Sequence, residues 1–325
     1  MGFTLGNIDF KHGLCLAPMA GYTDRAMRLV CHENGAEYSV TEMVSAKAVV
    51  YNDKKTYALA KILADEGPVA IQIFGSEPEI MAEAAGRLLE SKEGARAVAI
   101  DINMGCPVHK IFSNGEGSAL MKNPELIERI VRAVSGAIDI PCTVKLRAGV
   151  NKQSINAVEC ALAAEDGGAA LICIHGRTRE QMYGGSADRE IIKNVKSSLH
   201  IPVIANGDIL TGENALAILR DTGADGIAVG RGAVGNPFIF SEIRAALENL
   251  SFEQPTTKER IETAIRQLAL AVEEKGERVA IPEARKQIAL YLKSFRGAAR
   301  IRAEINRSLT FDSVAAALRS ALDEE

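Results

Sequence analysis

The sequence predicts a (β/α)8 TIM barrel followed by a small all-α helical-bundle domain. Short apolar segments alternate with amphipathic ones up to about residue 240, and eight strand–helix units are the number that closes a parallel barrel. After about residue 257 the pattern changes to helices without strands. We therefore place the barrel domain at residues 1–245 and the helical domain at residues 246–325.

The eight predicted strands are apolar runs that end at Gly, Pro or polar residues. They are Leu14–Met19, Tyr38–Met43, Val69–Phe74, Ala97–Asn103, Thr143–Arg147, Ala170–His175, Pro202–Asn206 and Gly226–Gly230. Amphipathic segments between them include Glu77–Leu89, Pro124–Val134, Ile155–Glu165 and Glu213–Asp221. An open doubly wound sheet is the alternative, but the turn after the first strand lacks the G-x-G-x-x-G pattern of that fold. The barrel is favoured.

The C-terminal part begins with a linker at residues 251–257, and its helices follow. The predicted helices are Thr257–Lys275, Pro282–Phe295, Ala298–Ser308 and Asp312–Leu322, with Pro282 in the first turn of its helix. Residues 278–307 carry eight Lys and Arg side chains against two carboxylates, Glu283 and Glu304. This segment is either a solvated helical face or a surface that binds phosphates of a nucleic acid.

Composition narrows the class of protein. With 47% hydrophobic and 25% charged residues and a net charge of −4, the chain is typical of a globular domain and has no overall excess of positive charge. Its six cysteines include no CxxC pair, which indicates a reduced, cytoplasmic protein without a zinc site or other metal site. No signal peptide or membrane-length apolar run is visible. No protein partner is implied, and we expect a monomer.

Cys106 is the first candidate for the chemistry. It follows the apolar strand 97–103 within a Gly-Cys-Pro turn. Such a turn cannot continue the strand and is a poor place to bury a side chain. A thiol at this position can be a nucleophile or an acid.

Other polar residues stand at the ends of the predicted strands, where barrel enzymes place their sites. The Gly-containing turns after strands seven and eight, the second with Arg231, are typical of a barrel phosphate site, although glycines can also serve tight turns. Lys145 needs an anionic partner if buried, which suggests either Schiff-base chemistry or a contact with an electron-rich cofactor ring. His175 is either a core histidine or a site residue, and a buried Gln72 needs hydrogen-bond partners.

Several motifs together resemble the tRNA-dihydrouridine synthases, most closely the bacterial B-type branch. The resemblance covers about residues 8–310, and its motifs are residues 17–24 (APMAGYTD), 41–43 (TEM), 102–107 (INMGCP), 117–120 (GSAL), 175–185 (HGRTREQMYGG), 202–208 (PVIANGD), 230–237 (GRGAVGNP), 284–293 (ARKQIALYLK) and 304–307 (EINR). The resemblance implies FMN-dependent reduction of the C5–C6 double bond of a D-loop uridine in tRNA, with NADPH as the diffusible reductant.

The resemblance also implies roles for individual residues. Cys106 would protonate C5 after a flavin hydride reaches C6. Residues that would hold the tightly but non-covalently bound FMN are Pro18, Met19, Ala20, Gln72, Lys145, His175, Asn206, Gly207, Asp208, Gly230 and Arg231. Residues that would contact the uridine or tRNA are Asn103, Arg147, Arg177, Arg285, Lys286, Lys293 and Arg300.

Two other enzyme classes fit parts of the pattern. An FMN barrel acting on a free pyrimidine, similar to dihydroorotate dehydrogenase, has no need for the basic helical segment and would keep its turnover without residues 251–325. A Schiff-base aldolase that uses Lys145 would be colourless.

Overall fold

The computed structural model describes residues 2–293 and 295–324 of the chain. In chain order its strands are β1 Phe3–Leu5, β2 Ile8–Phe10, β3 Leu14–Leu16, β4 Tyr38–Val40, β5 Val44–Ser45, β6 Val69–Phe74, β7 Ala99–Asn103, β8 Cys142–Arg147, β9 Leu171–His175, β10 Val203–Asn206 and β11 Gly226–Val229.

The helices of the barrel part are α1 Arg25–Glu33, α2 Ala46–Val50, α3 Lys54–Leu59, α4 Pro78–Glu90, α5 His109–Ser113, α6 Pro124–Ala137, α7 Ala157–Asp166, α8 Arg189–Ser198, α9 Gly212–Thr222 and α10 Ile239–Leu247. Helices α1 to α9 lie between successive strands of the barrel part, and α10 follows the last strand. The C-terminal part contains α11 Thr257–Lys275, α12 Glu277–Ile288, α13 Ala298–Arg307 and α14 Phe311–Arg319.

Eight strands form a closed parallel barrel in the order β3-β4-β6-β7-β8-β9-β10-β11. The barrel closes where β11 pairs with β3, with Ala228 opposite Cys15. The two-residue strand β5 pairs only with β6, beside the ring. The predicted fold class, a TIM barrel followed by helices, is therefore confirmed. Within the described residues, no helix is both long and apolar enough to cross a membrane.

The first strand is shorter than predicted. It ends at Leu16 rather than Met19, because Pro18 has no backbone N–H to extend the ladder. Residues 17–22 instead leave the sheet as a loop. This loop becomes part of the wall of the cavity described below.

An N-terminal hairpin that the sequence did not predict closes the opposite end of the barrel. β1 and β2 pair antiparallel, and the rings of Phe3 and Phe10 stack at 4.8 Å between centroids. Phe10 also contacts Tyr38 of the barrel edge-on at 5.4 Å. The apolar plug leaves the carboxyl ends of the strands as the open end of the barrel. Each strand of the hairpin has three residues, too few for a visible alternating pattern.

The helical part has an apolar core of its own, which includes Ile261, Leu268, Tyr291, Ile301 and Leu318. Its first helix begins as predicted, since Thr256 and Glu259 form a capping box. The division of the chain at residues 245 and 246 stays a prediction, because α10 runs across it to Leu247.

The second helix of this part corrects the sequence prediction. α12 begins at Glu277 and places Pro282 inside the helix rather than in its first turn. Gly276, with a φ of 72°, separates α11 from α12, and burial of Ala280 and Ile281 holds the preceding turn helical. Packing thus outweighs the loss of one backbone hydrogen bond at the proline. The helix ends at Ile288, and residue 294 of the predicted segment lies outside the described residues.

Buried side chains join the helical part to the barrel. The Tyr291 hydroxyl donates to Gln267 Oε1 (2.8 Å), and Gln267 Nε2 donates to Gln287 Oε1 (2.8 Å). Gln287 Nε2 then donates to the carbonyl of Tyr22 in the loop after β3 (3.3 Å). Lys275 adds an ion pair with Asp24 at 2.7 Å. The helical part therefore helps to fix the loop at residues 17–22.

Arg28 supports the same loop from the barrel side. It is paired with Glu66 at 2.6 Å, with side chains 2% and 0% exposed, and it donates to the Thr23 carbonyl at 2.9 Å. We predict that Arg28→Met lowers the free energy of unfolding by ~3–5 kcal/mol, because the buried Glu66 carboxylate loses its close partner and keeps only Arg25, at 3.9 Å. Denaturant unfolding measures this loss.

The matched control is Arg132→Met. Arg132 pairs with Glu128 on the surface, where the two side chains are 62% and 39% exposed. Its removal should cost at most ~1 kcal/mol. Equal losses in the two variants would contradict the importance assigned to the buried pair.

Candidate active site

One cavity of about 540 Å³ opens at the carboxyl ends of the barrel strands. Its volume lies in the range of small-molecule sites, roughly 300–1,000 Å³. The cavity is lined by every barrel residue to which the sequence assigned a role: Pro18, Met19, Ala20, Gln72, Asn103, Cys106, Lys145, Arg147, His175, Arg177, Asn206, Gly207, Asp208, Gly230 and Arg231. The fold thus brings them together, while their individual roles stay predictions.

Cys106 is less exposed than its turn suggested. Only 9% of the residue is accessible, and that surface faces the cavity. The expectation that this turn is a poor place to bury a side chain was therefore wrong, because the turn folds back against Gly117, where an added Cβ would lie 3.0 Å from the Cys106 Cβ. Burial raises the pKa of the thiol. Cys106 is consequently protonated at neutral pH, as an acid must be.

Two carboxamides stand beside the thiol. Asn103 Nδ2 donates to Gln72 Oε1 at 2.8 Å, and Asn103 Oδ1 accepts from the Cys106 N–H at 2.8 Å. Both side chains line the cavity. Gln72 is therefore satisfied by protein partners and can still offer one N–H and one lone pair to a ligand.

Lys145 and His175 give the cavity a cationic and a neutral group. Lys145 Nζ donates to Asn206 Oδ1 at 3.1 Å, and within the described part of the chain no carboxylate lies within ion-pair distance of it. Burial lowers the Lys145 pKa. Burial, together with the charges of Lys145 and Arg147, holds the His175 pKa far below its usual value, so the imidazole is neutral. An anionic ligand would remove the cost of the Lys145 charge.

The turns after β10 and β11, where the sequence predicts an anion site, both line the cavity. Gly207 has a φ of 124°, and an added Cβ there would lie 2.6 Å from Ala187. At Gly230 the nearest atom to such a Cβ is Met19 Sδ at 3.7 Å, so the missing side chain leaves room on the cavity wall. Arg231 follows with its side chain 53% exposed. Bare backbone and a guanidinium together suit a phosphate.

Asp208, next to Gly207, has a carboxylate that is bonded to other groups of the protein. Its carboxylate accepts from the Ala187 N–H (2.8 Å) and pairs with Arg177 (2.7 Å), and these bonds lower its pKa. A carboxylate repels a phosphate directly. The geometry therefore suits Asp208 to hold Arg177 and the turn, and any contact with a ligand would be to its hydroxyl groups.

Arg147 and Arg177 organise the loop after β9. Arg147 donates to the carbonyls of Gly105, Thr178 and Met182 at 2.8 to 3.0 Å. Arg177 donates to the carbonyls of Gly184 and Gly185. Most of their donors are thus used within the protein, which the sequence did not reveal. Their contact with a substrate stays a prediction.

Twelve residues that line the cavity had no role in the sequence-based assignment, among them Tyr22, Tyr183, Leu210 and Leu290. Tyr183 lies within the motif at 175–185, its ring is stacked by Arg231 at 4.8 Å, and it is 54% exposed. Its place in that motif was a usable signal. Leu290 comes from the helical part, and no sequence pattern indicates that this residue reaches the barrel.

The four basic residues predicted to bind tRNA lie outside the cavity, in the helical part. Lys286 is exposed and stands 4.5 Å from the ring centre of Tyr22 at the cavity wall. Lys293 is exposed, and Arg300 is exposed and pairs with Glu304 at 3.5 Å. Arg285 is half-buried and donates to the Ser308 carbonyl at 2.7 Å, which gives it a structural function.

A TIM barrel that brings a thiol, a lysine and two Gly-containing turns together in one cavity at its strand ends has the architecture of an enzyme. Comparison with known proteins agrees. A family model described as dihydrouridine synthase matches residues 15–325. The chain belongs to the dihydrouridine synthase family, whose members are flavin-dependent oxidoreductases.

Individual relatives match over most of their length. The chain is 42% identical to the tRNA-dihydrouridine synthase B of Shewanella oneidensis over 289 residues, 89% of this chain and 88% of the relative. It is 40% identical to that of Vibrio parahaemolyticus over 93% of both chains. A probable tRNA-dihydrouridine synthase of Rickettsia conorii is 38% identical, over 93% and 91%. The resemblance drawn from the motifs is therefore confirmed.

We predict that Arg177→Met loosens the loop after β9. The variant removes the donors to the Gly184 and Gly185 carbonyls and the pair with Asp208. Amide hydrogen exchange in residues 181–186 should accelerate by roughly 10- to 100-fold, since hydrogen bonds from a charged group no longer hold the loop. Mass spectrometry of peptides from this region measures the change.

The control for this variant is Arg189→Met. Arg189 forms a surface pair with Asp221 at 2.6 Å, with side chains 39% and 35% exposed. Exchange in residues 181–186 should stay at the wild-type rate in the control. The same rate in Arg177→Met would show that the loop does not depend on Arg177.

Proposed function

We propose that this chain is a tRNA-dihydrouridine synthase, which uses FMN and NADPH to reduce the C5–C6 double bond of a D-loop uridine to 5,6-dihydrouridine. The observation that carries the proposal is that three features meet in one cavity: the thiol of Cys106, the amine of Lys145 without a carboxylate partner among the described residues, and the turn with Gly230 and Arg231. The names of the relatives support the choice of substrate.

The residues of the cavity fit FMN. The turns at Gly207 and Gly230, with Arg231, would bind its phosphate, and Asn206 and Asp208 would contact the ribityl chain. Lys145, the neutral His175 and Gln72 would face the ring, while residues 18–20 would form the wall beside it. A ring that gains negative charge on reduction would satisfy the Lys145 ammonium.

Bound FMN, reduced by NADPH, would supply a hydride to C6 of the uracil. Cys106 then gives its thiol proton to C5, so that one hydride and one proton add across the double bond. The resulting thiolate regains a proton from water. Asn103 and Arg147, beside Cys106, would hold the uracil during this transfer. Because burial raises the thiol pKa, Cys106 keeps its proton until the base arrives.

A base cannot be reduced while it is stacked in a helix, so the uridine must be flipped into the cavity. The exposed rings and side chains at the mouth, Tyr183 and Leu210, offer contacts for the flipped nucleotide or its neighbours. Basic residues of the helical part, with Lys286 nearest the mouth, would bind the phosphates of the tRNA. The proposal places the enzyme in the cytoplasm, as a monomer.

The role of Cys106 can be tested by measuring reduction of the flavin and its reoxidation by tRNA separately. Cys106→Ala should leave reduction of the flavin by NADPH within about twofold of wild type, while reoxidation of the flavin by tRNA slows by roughly 10²–10⁴-fold, as expected for loss of a general acid. Stopped-flow absorbance measures both steps. Cys160→Ala, at a buried cysteine outside the cavity, is the control and should change neither step.

The pH dependence follows from the same thiol. Its folded-state pKa lies above the ordinary value of 9.0, so the acid form persists through neutral pH. The rate of flavin reoxidation by tRNA should therefore be constant from about pH 6 to pH 8 and fall only above the ordinary thiol pKa. A fall centred below about pH 7.5 would contradict Cys106 as the acid.

The basic residues of the helical part can be tested for tRNA binding. Replacing Lys286, Lys293 and Arg300 together by Glu should weaken tRNA binding and lower the slope of log affinity against log salt by about 0.7–1 for each phosphate that the variant no longer neutralises. Arg285 is left in place because of its bond to Ser308. Filter binding or fluorescence anisotropy at three salt concentrations provides the measurement.

A control with the same change of charge uses the opposite end of the barrel. Lys11, Arg132 and Arg220 are 76%, 62% and 76% exposed, near the amino ends of the strands. Their replacement by Glu should alter tRNA affinity much less and should keep the slope. If both triple variants bind alike, the helical part is not the tRNA-binding surface, and recognition moves to the barrel rim near Arg147, Arg177 and Arg179.

A further inference from the structure

Asp101 is a buried carboxylate beneath the cavity that the proposed mechanism does not use. It lies on β7, is 3% exposed, and does not line the cavity. One carboxylate oxygen accepts from Gln72 Nε2 at 2.7 Å, and the other accepts from Thr143 Oγ1 at 2.6 Å. Burial of a carboxylate is costly, and this one is held by two short hydrogen bonds although it does not line the cavity.

The carboxylate is the end of a chain of hydrogen bonds that leads to Cys106. From Asp101 the chain passes to Gln72, from Gln72 to Asn103 (2.8 Å), and from Asn103 Oδ1 to the N–H groups of Gly105 (3.2 Å) and Cys106 (2.8 Å). All of its members are buried. The chain therefore connects a charge in the barrel interior with the backbone that carries the thiol.

The chain also has a fixed direction. A carboxamide can adopt two orientations that exchange its oxygen and nitrogen, and its partners decide between them. Both oxygens of Asp101 accept hydrogen bonds, so Gln72 turns its NH2 group towards Asp101, which leaves Gln72 Oε1 facing Asn103. Asn103 must then turn its NH2 group to Gln72 and its oxygen to the backbone N–H groups of residues 105 and 106.

We infer that Asp101 is a positioning residue that sets the orientation of Gln72 and Asn103 and, through them, holds the turn that carries Cys106. Without an acceptor at position 101, Gln72 can reverse. Asn103 would then present its NH2 group to the N–H of Cys106, donor against donor, and the turn would have to move. This inference rests on the proposed function only where it concerns catalysis.

The test compares replacements that differ in their ability to accept. Asp101→Leu offers no acceptor. Asp101→Asn removes the charge but keeps an oxygen for Gln72, while its NH2 group can donate to the Thr143 hydroxyl. Thr143→Val is the structural control, because it removes a buried bond to Asp101 without affecting the direction of the chain. Asp101→Val replaces the leucine variant if the latter does not fold.

The first measurement is independent of catalysis: the rate at which iodoacetamide alkylates Cys106 in the purified protein, followed by peptide mass spectrometry. Among the described cysteines, only Cys106 lines the cavity. We expect a change of about tenfold or more in Asp101→Leu, since the turn shifts. Asp101→Asn and Thr143→Val should stay within about threefold of wild type.

The second measurement is the split between the two half-reactions. Asp101→Leu should slow flavin reoxidation by tRNA by roughly 10- to 100-fold, the cost of a misplaced reacting group. Flavin reduction by NADPH should slow much less, because it involves Gln72 but not Cys106. Asp101→Asn should restore most of the tRNA-dependent rate. An Asp101→Asn variant as slow as Asp101→Leu would overturn the inference, because charge rather than orientation would then matter.

Wild-type alkylation rates in all the Asp101 variants would also overturn the inference, as would equal slowing of both half-reactions. If wild-type protein fails to reduce tRNA at all, the proposed function is wrong, while the alkylation rates still decide whether Asp101 positions Cys106.

Discussion

The register of the parallel barrel is the constraint on which the site depends. Asn103 lies opposite Lys145, and Arg147 lies opposite His175, which in turn lies opposite Asn206. Because neighbouring strands are about 4.8 Å apart and successive side chains alternate between the two faces, this register places the polar groups in adjacent rows at one end of the barrel. A slip of one residue in any strand would turn its functional side chain out towards the helices.

The barrel interior beneath these rows contains polar groups that need hydrogen-bond partners within the protein. Asp101 is satisfied by Gln72 and Thr143, and Asn206 supplies a partner for Lys145. His175 avoids the cost of a buried charge by remaining neutral. Lys145 and Arg147 are both basic groups at the cavity, and within the described residues neither has a carboxylate at ion-pair distance. An anionic ligand in the cavity would therefore compensate this positive charge.

Much of the fold and site follows from local patterns. The eight strands, the beginning of α11 and the polar strand ends are visible in the sequence because apolar runs, a capping box and terminal Gly or Pro residues are local signals. The N-terminal plug was too short to detect. The predicted start of α12 at Pro282 was wrong, because packing of Ala280 and Ile281 extends the helix to residues before the proline. The engagement of Arg177 with loop carbonyls and the approach of Leu290 to the cavity depend on tertiary contacts, which no local pattern encodes.

The visible absorption spectrum of the protein as purified decides whether Lys145 and the turn with Gly230 and Arg231 together hold FMN. We expect a yellow protein with flavin absorption bands, about one FMN released per chain on denaturation, and loss of the bands in Lys145→Met. A colourless protein that takes up no FMN on reconstitution would contradict it.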